Sequence, residues 1–232
     1  MRPKTIILES KKYLKATRWV LVALYTFILP DFYIIYRNIV TFFGQEAAGK
    51  VPIVIVAVLG IAYVVAILIS QKSPKNLLFL VPCGVIALLI MTLVSNPNKH
   101  IHIPEYVLMT WLLYAVLSKD YDGKDLFILI FILASLLGVV DELEQGIHPA
   151  RFYGMSDMLV NSASALIGVF TIMGLKKAKA ADWSWVSRLR EFKGILGLDL
   201  FGFMGAVLMC ITLFQVQAKV PILCLEVNSR WR

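Results

Sequence analysis

Polar and ionisable side chains are concentrated at the ends of three consecutive apolar segments in the middle of the chain. They are His102, Glu105, Tyr106, Asp141, Glu142, Gln145, Arg151, Asp157 and Asn161. Ionisable groups at membrane depth are energetically costly and usually mark a functional site. We therefore predict that these residues form a polar cluster that binds a ligand or takes part in chemistry.

The spacing of these residues places them on one face of each helix, because side chains three or four positions apart lie above one another. The first helix would present His102, Glu105, Tyr106 and Met109. The second would present Gly138, Asp141, Glu142 and Gln145. The third would present Asp157, Asn161, Ser164 and Gly168. Small residues on such faces allow the close helix approach on which packing in membranes depends.

Three kinds of function are compatible with such a cluster. The first is catalysis on a lipid-linked or envelope substrate, with Glu142 or Asp141 as general base. Glu105 or His102 would then be the acid partner, and Arg151 would hold a phosphate or carboxylate. The second is binding of a lipid headgroup or an amphiphilic antibiotic without chemistry. The third is structural, as an accessory subunit of a larger membrane complex. No nucleophile motif supports the catalytic function, so whether the protein is an enzyme is left open.

Individual residues also have structural interpretations. Asp157 follows Ser156 at a helix start and could be a first-turn acid. Asp141 and Glu142, in contrast, lie near a helix C-terminus, where the helix dipole opposes negative charge. Arg151 could reach headgroup phosphates, or it could neutralise the acids. We predict that it lies within salt-bridge reach of at least one of the three acids, because adjacent carboxylates in a low dielectric need a nearby cation.

No metal site is predicted, and the identity of any cofactor is left open. The three cysteines, Cys83, Cys210 and Cys224, lack the spacing of metal ligands. The alternative is that the carboxylates and His102 together hold a divalent cation, since carboxylate oxygens and imidazole both bind such ions.

The composition indicates an integral membrane protein. Of the 232 residues 59% are hydrophobic and 16% charged, with a mean hydropathy of +0.77, whereas soluble domains are about half apolar and about a quarter charged. The apolar runs predict an all-α polytopic bundle of six to seven spans. They lie at about residues 17–36, 51–70, 76–95, 102–118, 126–144, 157–175 and 195–217. Residues 31–43 fit an interfacial helix as an alternative, and without a cleavage site the first helix is expected to be a retained anchor.

The basic residues predict the orientation of these spans. With the N-terminus in the cytoplasm, sixteen of the 23 Lys and Arg residues lie inside and seven outside, in agreement with the positive-inside rule. The predicted polar cluster then faces outward. The net charge of +8 is mostly a topology signal, and because the basic residues are dispersed, no nucleic-acid partner is predicted. The expected partners are membrane lipids or, in the structural alternative, proteins of a membrane complex.

The order and spacing of the motifs resemble the VanZ-like family of bacterial integral membrane proteins. His-x-x-Glu-Tyr is followed by Asp-Glu-x-x-Gln, an Arg six residues later, an Asp six after that, and Asp-x-x-x-Asn. The matching residues are His102, Glu105, Tyr106, Asp141, Glu142, Gln145, Arg151, Asp157, Asn161 and Gly168. The chain differs in having Ser164 where the family usually has glycine, and more spans before the first motif. The resemblance implies an envelope-related, multi-pass protein of the bacterial inner (cytoplasmic) membrane with no agreed reaction.

This resemblance divides the chain into three parts. Residues 1–99 would be an N-terminal transmembrane extension, and residues 100–175 the VanZ-like core. Residues 176–232 would comprise a basic interfacial segment and a C-terminal transmembrane helix. The interfacial segment is predicted from Trp185, Leu189 and Phe192, which recur at helical spacing between basic residues.

Overall fold

The computed structural model describes residues 3–70, 72–94, 96–147 and 154–176, and within these ranges the chain is all-α, as predicted. The α-helices of these ranges are α1 (Pro3–Ile28), α2 (Phe32–Phe43), α3 (Gln45–Ile69), α4 (Leu80–Leu93), α5 (His102–Leu117), α6 (Asp125–Ile147) and α7 (Met155–Leu175). Short 3-10 helices cover Leu29–Asp31, Pro74–Phe79 and Pro97–Ile101.

Four segments of the described ranges are long and apolar enough to cross a membrane, namely Gln45–Ile69, Pro74–Leu93, Asp125–Gly146 and Met155–Leu175. A fifth is added if Ala16–Asp31 and Ile34–Phe43, which meet at 44°, form one span. Helix α5 is not among them because it has 16 residues, or roughly 24 Å against a hydrocarbon core of about 30 Å. The predicted helices at 182–193 and 195–217 lie outside the described residues. These apolar segments are compatible with a membrane protein.

The first predicted span, residues 17–36, contains a break. Helix α1 ends at Ile28, a 3-10 turn covers Leu29–Asp31, and α2 begins at Phe32. Pro30 lies in this turn, and proline interrupts a helix because it has no amide hydrogen and its ring crowds the preceding turn. After α2, Gly44 adopts a φ of 83°, a conformation that side chains with a Cβ rarely take, so the chain can turn directly into α3.

The chain divides into two compact units, Met1–Asp141 with Met155–Asp182, and Glu142–Gly154 with Trp183–Arg232. In the first unit α5 packs extensively against α7 and also against α1, and α4 packs against α7 as well. The core side chains include Met109, Leu113, Ile130, Ala165 and Ile172. Helix α5 is therefore held in place by α1, near the start of the chain, as well as by helices closer to it in sequence.

Helices α3 and α4 expose much of their apolar surface. Ile61 and Leu68 of α3 are each 65% exposed, and Leu88 of α4 is 63% exposed. A contiguous apolar exterior of this kind is unfavourable in water and is typical of surfaces that face lipid or a protein partner. The exterior thus agrees with the apolar composition of the chain.

Candidate functional site

Six of the residues predicted to form the site lie in the first unit, and all are buried. They are His102, Glu105, Tyr106, Asp141, Asp157 and Asn161, none of which is more than 7% exposed. We refer to these six residues as the buried polar cluster. Helices α5 and α7 contribute members at intervals of three and four residues, which set them on common faces, and α6 contributes Asp141.

Helix α5 supplies three members from its first two turns. The Nδ1 atom of His102 lies 3.0 Å from Oε2 of Glu105, because residues three apart share a face. The Tyr106 hydroxyl donates a hydrogen bond of 3.0 Å to Oδ2 of Asp141. This bond joins α5 to α6 inside an apolar core, where a hydrogen bond to a carboxylate oxygen offsets part of the cost of burying it.

Asp157 is paired with Lys99, a residue that was not predicted to belong to the site. The ammonium of Lys99 lies 2.5 Å from Oδ1 of Asp157 and 3.2 Å from the hydroxyl of Ser156. The side chain of Lys99 is 30% exposed, whereas that of Asp157 is 10% exposed. The only sequence signal for Lys99 is its position three residues before His102. The pair connects the 3-10 helix Pro97–Ile101 to α7.

A ring nitrogen of His102 and a carboxylate oxygen of Asp157 lie within 4.8 Å of each other. Atoms at this separation can bind one cation between them, since imidazole and carboxylate are both common ligands of divalent transition metals. Within the first unit, His102 and Asp157 are therefore two neighbouring groups that could bind a divalent cation.

Asn161, like Tyr106, is completely buried, at 0% exposure. Its amide nitrogen lies 3.5 Å from the backbone oxygen of Gly138, at the limit of a hydrogen bond. Its Oδ1 atom has no hydrogen-bond partner among the residues that the structure describes. Most buried side-chain oxygens are bonded, so such an atom requires an explanation.

Close helix approach at two glycines confirms the expected role of the small residues. A Cβ at Gly138 would lie 3.0 Å from Cβ of Asn161 and 3.2 Å from the ring of Tyr106. A Cβ at Gly168 would collide with the side chain of Thr110. A side chain at Gly168 would therefore force its neighbours to shift, and one at Gly138 would fit only if Asn161 or Tyr106 moved by a few tenths of an ångström.

The second unit contains the other predicted residues of α6. Glu142 and Gln145 are both buried, and the backbone amide of Gly154 donates a 3.2 Å hydrogen bond to Oε2 of Glu142. Arg151 lies outside the described residues, and so does its predicted salt bridge to the acids.

Two side chains of α1 contact α5 in a way that the sequence analysis missed. The Tyr25 hydroxyl donates a 2.9 Å hydrogen bond to the backbone oxygen of Glu105, and Arg18 donates one of 3.2 Å to the backbone oxygen of Ala115. These partners are 80 and 97 positions apart in sequence. No periodicity connects positions so distant, because such contacts depend on how the helices assemble.

No protein-family model, curated protein or solved structure matches this chain. The resemblance to the VanZ-like family, and the division of the chain that follows from it, therefore remain predictions carried by the motif residues.

Proposed function

We propose that this protein is a VanZ-like, multi-pass integral membrane protein of the bacterial inner membrane. Its buried polar cluster would face outward and bind the polar headgroup of an envelope-related, lipid-like ligand. The apolar segments Gln45–Ile69 and Met155–Leu175, with the apolar exterior of α3 and α4, support the membrane location. The unequal distribution of basic residues supports an N-terminus in the cytoplasm.

The observation that carries the proposal is the amide oxygen of Asn161. It is fully buried, and it has no hydrogen-bond partner within the described ranges. Leaving such an acceptor unbonded costs about 1–3 kcal/mol. Proteins commonly tolerate a stability cost of this kind at functional sites, and a ligand that donates a hydrogen bond to this oxygen would remove it.

The surrounding groups define the chemistry of the ligand. An acceptor such as Asn161 Oδ1 selects a hydroxyl or amine donor. Lys99 is partly exposed beside Asp157, so an anionic group entering from that side would meet a cation. A headgroup that combines a hydroxyl or amine with an anionic group fits both features. His102 and Glu105, 3.0 Å apart, are the two residues from which the catalytic alternative would take its acid partner, with Glu142 or Asp141 as the general base.

The test is to identify lipids that co-purify with the protein in mild detergent, by mass spectrometry, for the wild type and two alanine variants. Asn161→Ala should lose the bound headgroup class and keep its thermal stability. Asn76→Ala is the matched control, because its amide donates a 2.8 Å hydrogen bond to the backbone oxygen of Gly174. It should keep the ligand and lose stability. If Asn161→Ala keeps the wild-type lipid profile, the proposal is wrong.

The alternative is an accessory structural subunit of a larger membrane complex. It is favoured by the pairing of cluster members with each other, as in the bond from Tyr106 to Asp141. In this case the cluster stabilises the bundle, and the exposed faces of α3 and α4 contact partner proteins. Proteins that co-purify in fixed stoichiometry, and an Asn161→Ala variant that fails to assemble with them, would support this function over ligand binding.

A further inference from the structure

A cavity of about 610 Å³ lies between α3, α4, α5 and α7. Its α5 wall consists of Ile103, Pro104, Val107, Leu108 and Trp111. By helical spacing these residues lie on the side of α5 away from His102, Tyr106 and Met109. The cavity is therefore separate from the buried polar cluster, and we name it the α3–α5 cavity.

We propose that the α3–α5 cavity binds one hydrocarbon chain of a bilayer lipid. This inference rests on the membrane location proposed above, but not on the ligand proposed for the buried polar cluster.

The few polar side chains in the wall are already bonded to the protein. Trp111 donates a 3.0 Å hydrogen bond from its indole nitrogen to the hydroxyl of Thr171. The thiol of Cys83 lies 3.6 Å from a backbone oxygen of α7, and the Tyr63 hydroxyl donates a 3.0 Å hydrogen bond to a backbone oxygen of the 3-10 helix before α4. An apolar cavity of this kind offers water too few hydrogen-bond partners. The wall therefore selects an apolar occupant.

Two glycines give the cavity its width. A Cβ added to Gly60 of α3 or Gly84 of α4 would meet no atom within 4 Å. At Gly168, in contrast, the side chain of Thr110 occupies the space that a Cβ would need. At the rim, Leu59 is 41% exposed and Leu108 is 48% exposed, so the cavity opens on the apolar exterior, where lipid chains lie in a bilayer.

The volume suits a single chain. At about 30 Å³ for each water-sized group, 610 Å³ holds roughly twenty such groups, within the usual range of about 300–1,000 Å³ for ligand pockets. The lipid interior is as apolar as the cavity, so entry brings no hydrophobic gain. The preference of a lipid chain for the cavity must come from its fit to the wall. This preference should therefore be lost when a larger side chain fills the cavity.

The experiment uses the full-length protein in vesicles of phosphatidylethanolamine and phosphatidylglycerol that contain a lipid with a photoreactive diazirine in its acyl chain. Sites of labelling are mapped by peptide mass spectrometry. We expect labelling of cavity residues to exceed that of exposed apolar residues severalfold. Gly84→Leu should reduce cavity labelling at least fivefold, because Gly84 lines the cavity and a Cβ at this position meets no atom within 4 Å. Gly60→Leu is a second filling variant should Gly84→Leu fold poorly.

Ala57→Leu is the matched control, since Ala57 is exposed on α3 and does not line the cavity. It should leave the labelling unchanged. Labelling spread evenly over all exposed apolar residues, or labelling that both filling variants retain, would overturn the proposal. So would crosslinks showing that another segment of this chain or a second copy occupies the cavity. Recovery of the protein outside the membrane fraction would contradict the proposed location, whereas the lipid profile of Asn161→Ala reports on the polar cluster alone.

Discussion

Replacing Gly168 with alanine should destabilise the contact between α5 and α7. The added Cβ would overlap the hydroxyl of Thr110 and lie 2.9 Å from its Cβ atom. A Cβ atom is fixed to the backbone and cannot rotate away, so the two helices must separate or shift. Overpacking of a tight core costs about 1–3 kcal/mol, and α5 and α7 pack extensively against each other.

Gly84→Ala is the control that separates the packing cost at Gly168 from the general effect of replacing glycine with alanine in a helix. Alanine is favoured over glycine inside a helix by about 1 kcal/mol, and this gain applies to both variants. Because a Cβ at Gly84 meets no atom within 4 Å, Gly84→Ala should be neutral or stabilised. The difference in unfolding free energy between the two variants then gives the packing cost at Gly168, expected at about 1–3 kcal/mol.

The assay is unfolding in detergent micelles, followed by circular dichroism as a denaturing detergent is added. Thr110→Ala in the Gly168→Ala background should recover part of the loss, because it removes the hydroxyl and methyl groups nearest to the added atom. Equal stabilities for Gly168→Ala and Gly84→Ala would show that α5 and α7 do not approach as closely as described. They would also contradict the role assigned to the small residues on these helix faces.

Three further outcomes are expected. Tyr106→Phe removes the hydrogen bond to α6 and should lower the unfolding free energy by about 0.6 kcal/mol, the average for such bonds in membranes; an unchanged value would show that the bond contributes nothing. Lys99→Met should destabilise the protein at neutral pH by leaving Asp157 without this cation, and adding Asp157→Asn should restore part of the loss; strictly additive effects would contradict the pairing. In intact cells, a cysteine at Asn98 should react with an impermeant reagent and one at Asp122 should be protected; the reverse pattern would invert the topology.

Local patterns in the sequence predicted the all-α class and the faces on which the α5 and α7 site residues lie. The apolar runs predicted α7 to within two residues, whereas α3 begins at Gln45, before the predicted span at 51–70. The interval from His102 to Glu105 placed both residues on one face. Pro30 marked the break after α1 by a local rule. The spacing of small residues also located the close approach at Gly138 and Gly168.

Contacts between distant segments could not be predicted in this way. Lys99 reaches Asp157, and Tyr25 reaches the backbone of Glu105, because helices that are remote in sequence become neighbours in the bundle. Helical periodicity gives the direction of each side chain from its own axis but not the identity of the helix that it meets. That Asn161 Oδ1 has no hydrogen-bond partner in the described part of the chain could not be predicted either, since it depends on which groups of other helices lie around it.

The contacts between α1 and α5 bear on the order in which the chain can enter a membrane during synthesis. Helix α5 has 16 residues and begins with His102 and Glu105, so by itself it is a short and polar candidate for insertion. Tyr25 and Arg18 bond to its backbone near both ends, and α1 is made first. In the proposed membrane location, α1 would thus be a docking surface that retains α5 in the bilayer. A chain that starts after residue 99 would have the motif residues without the helix that secures them.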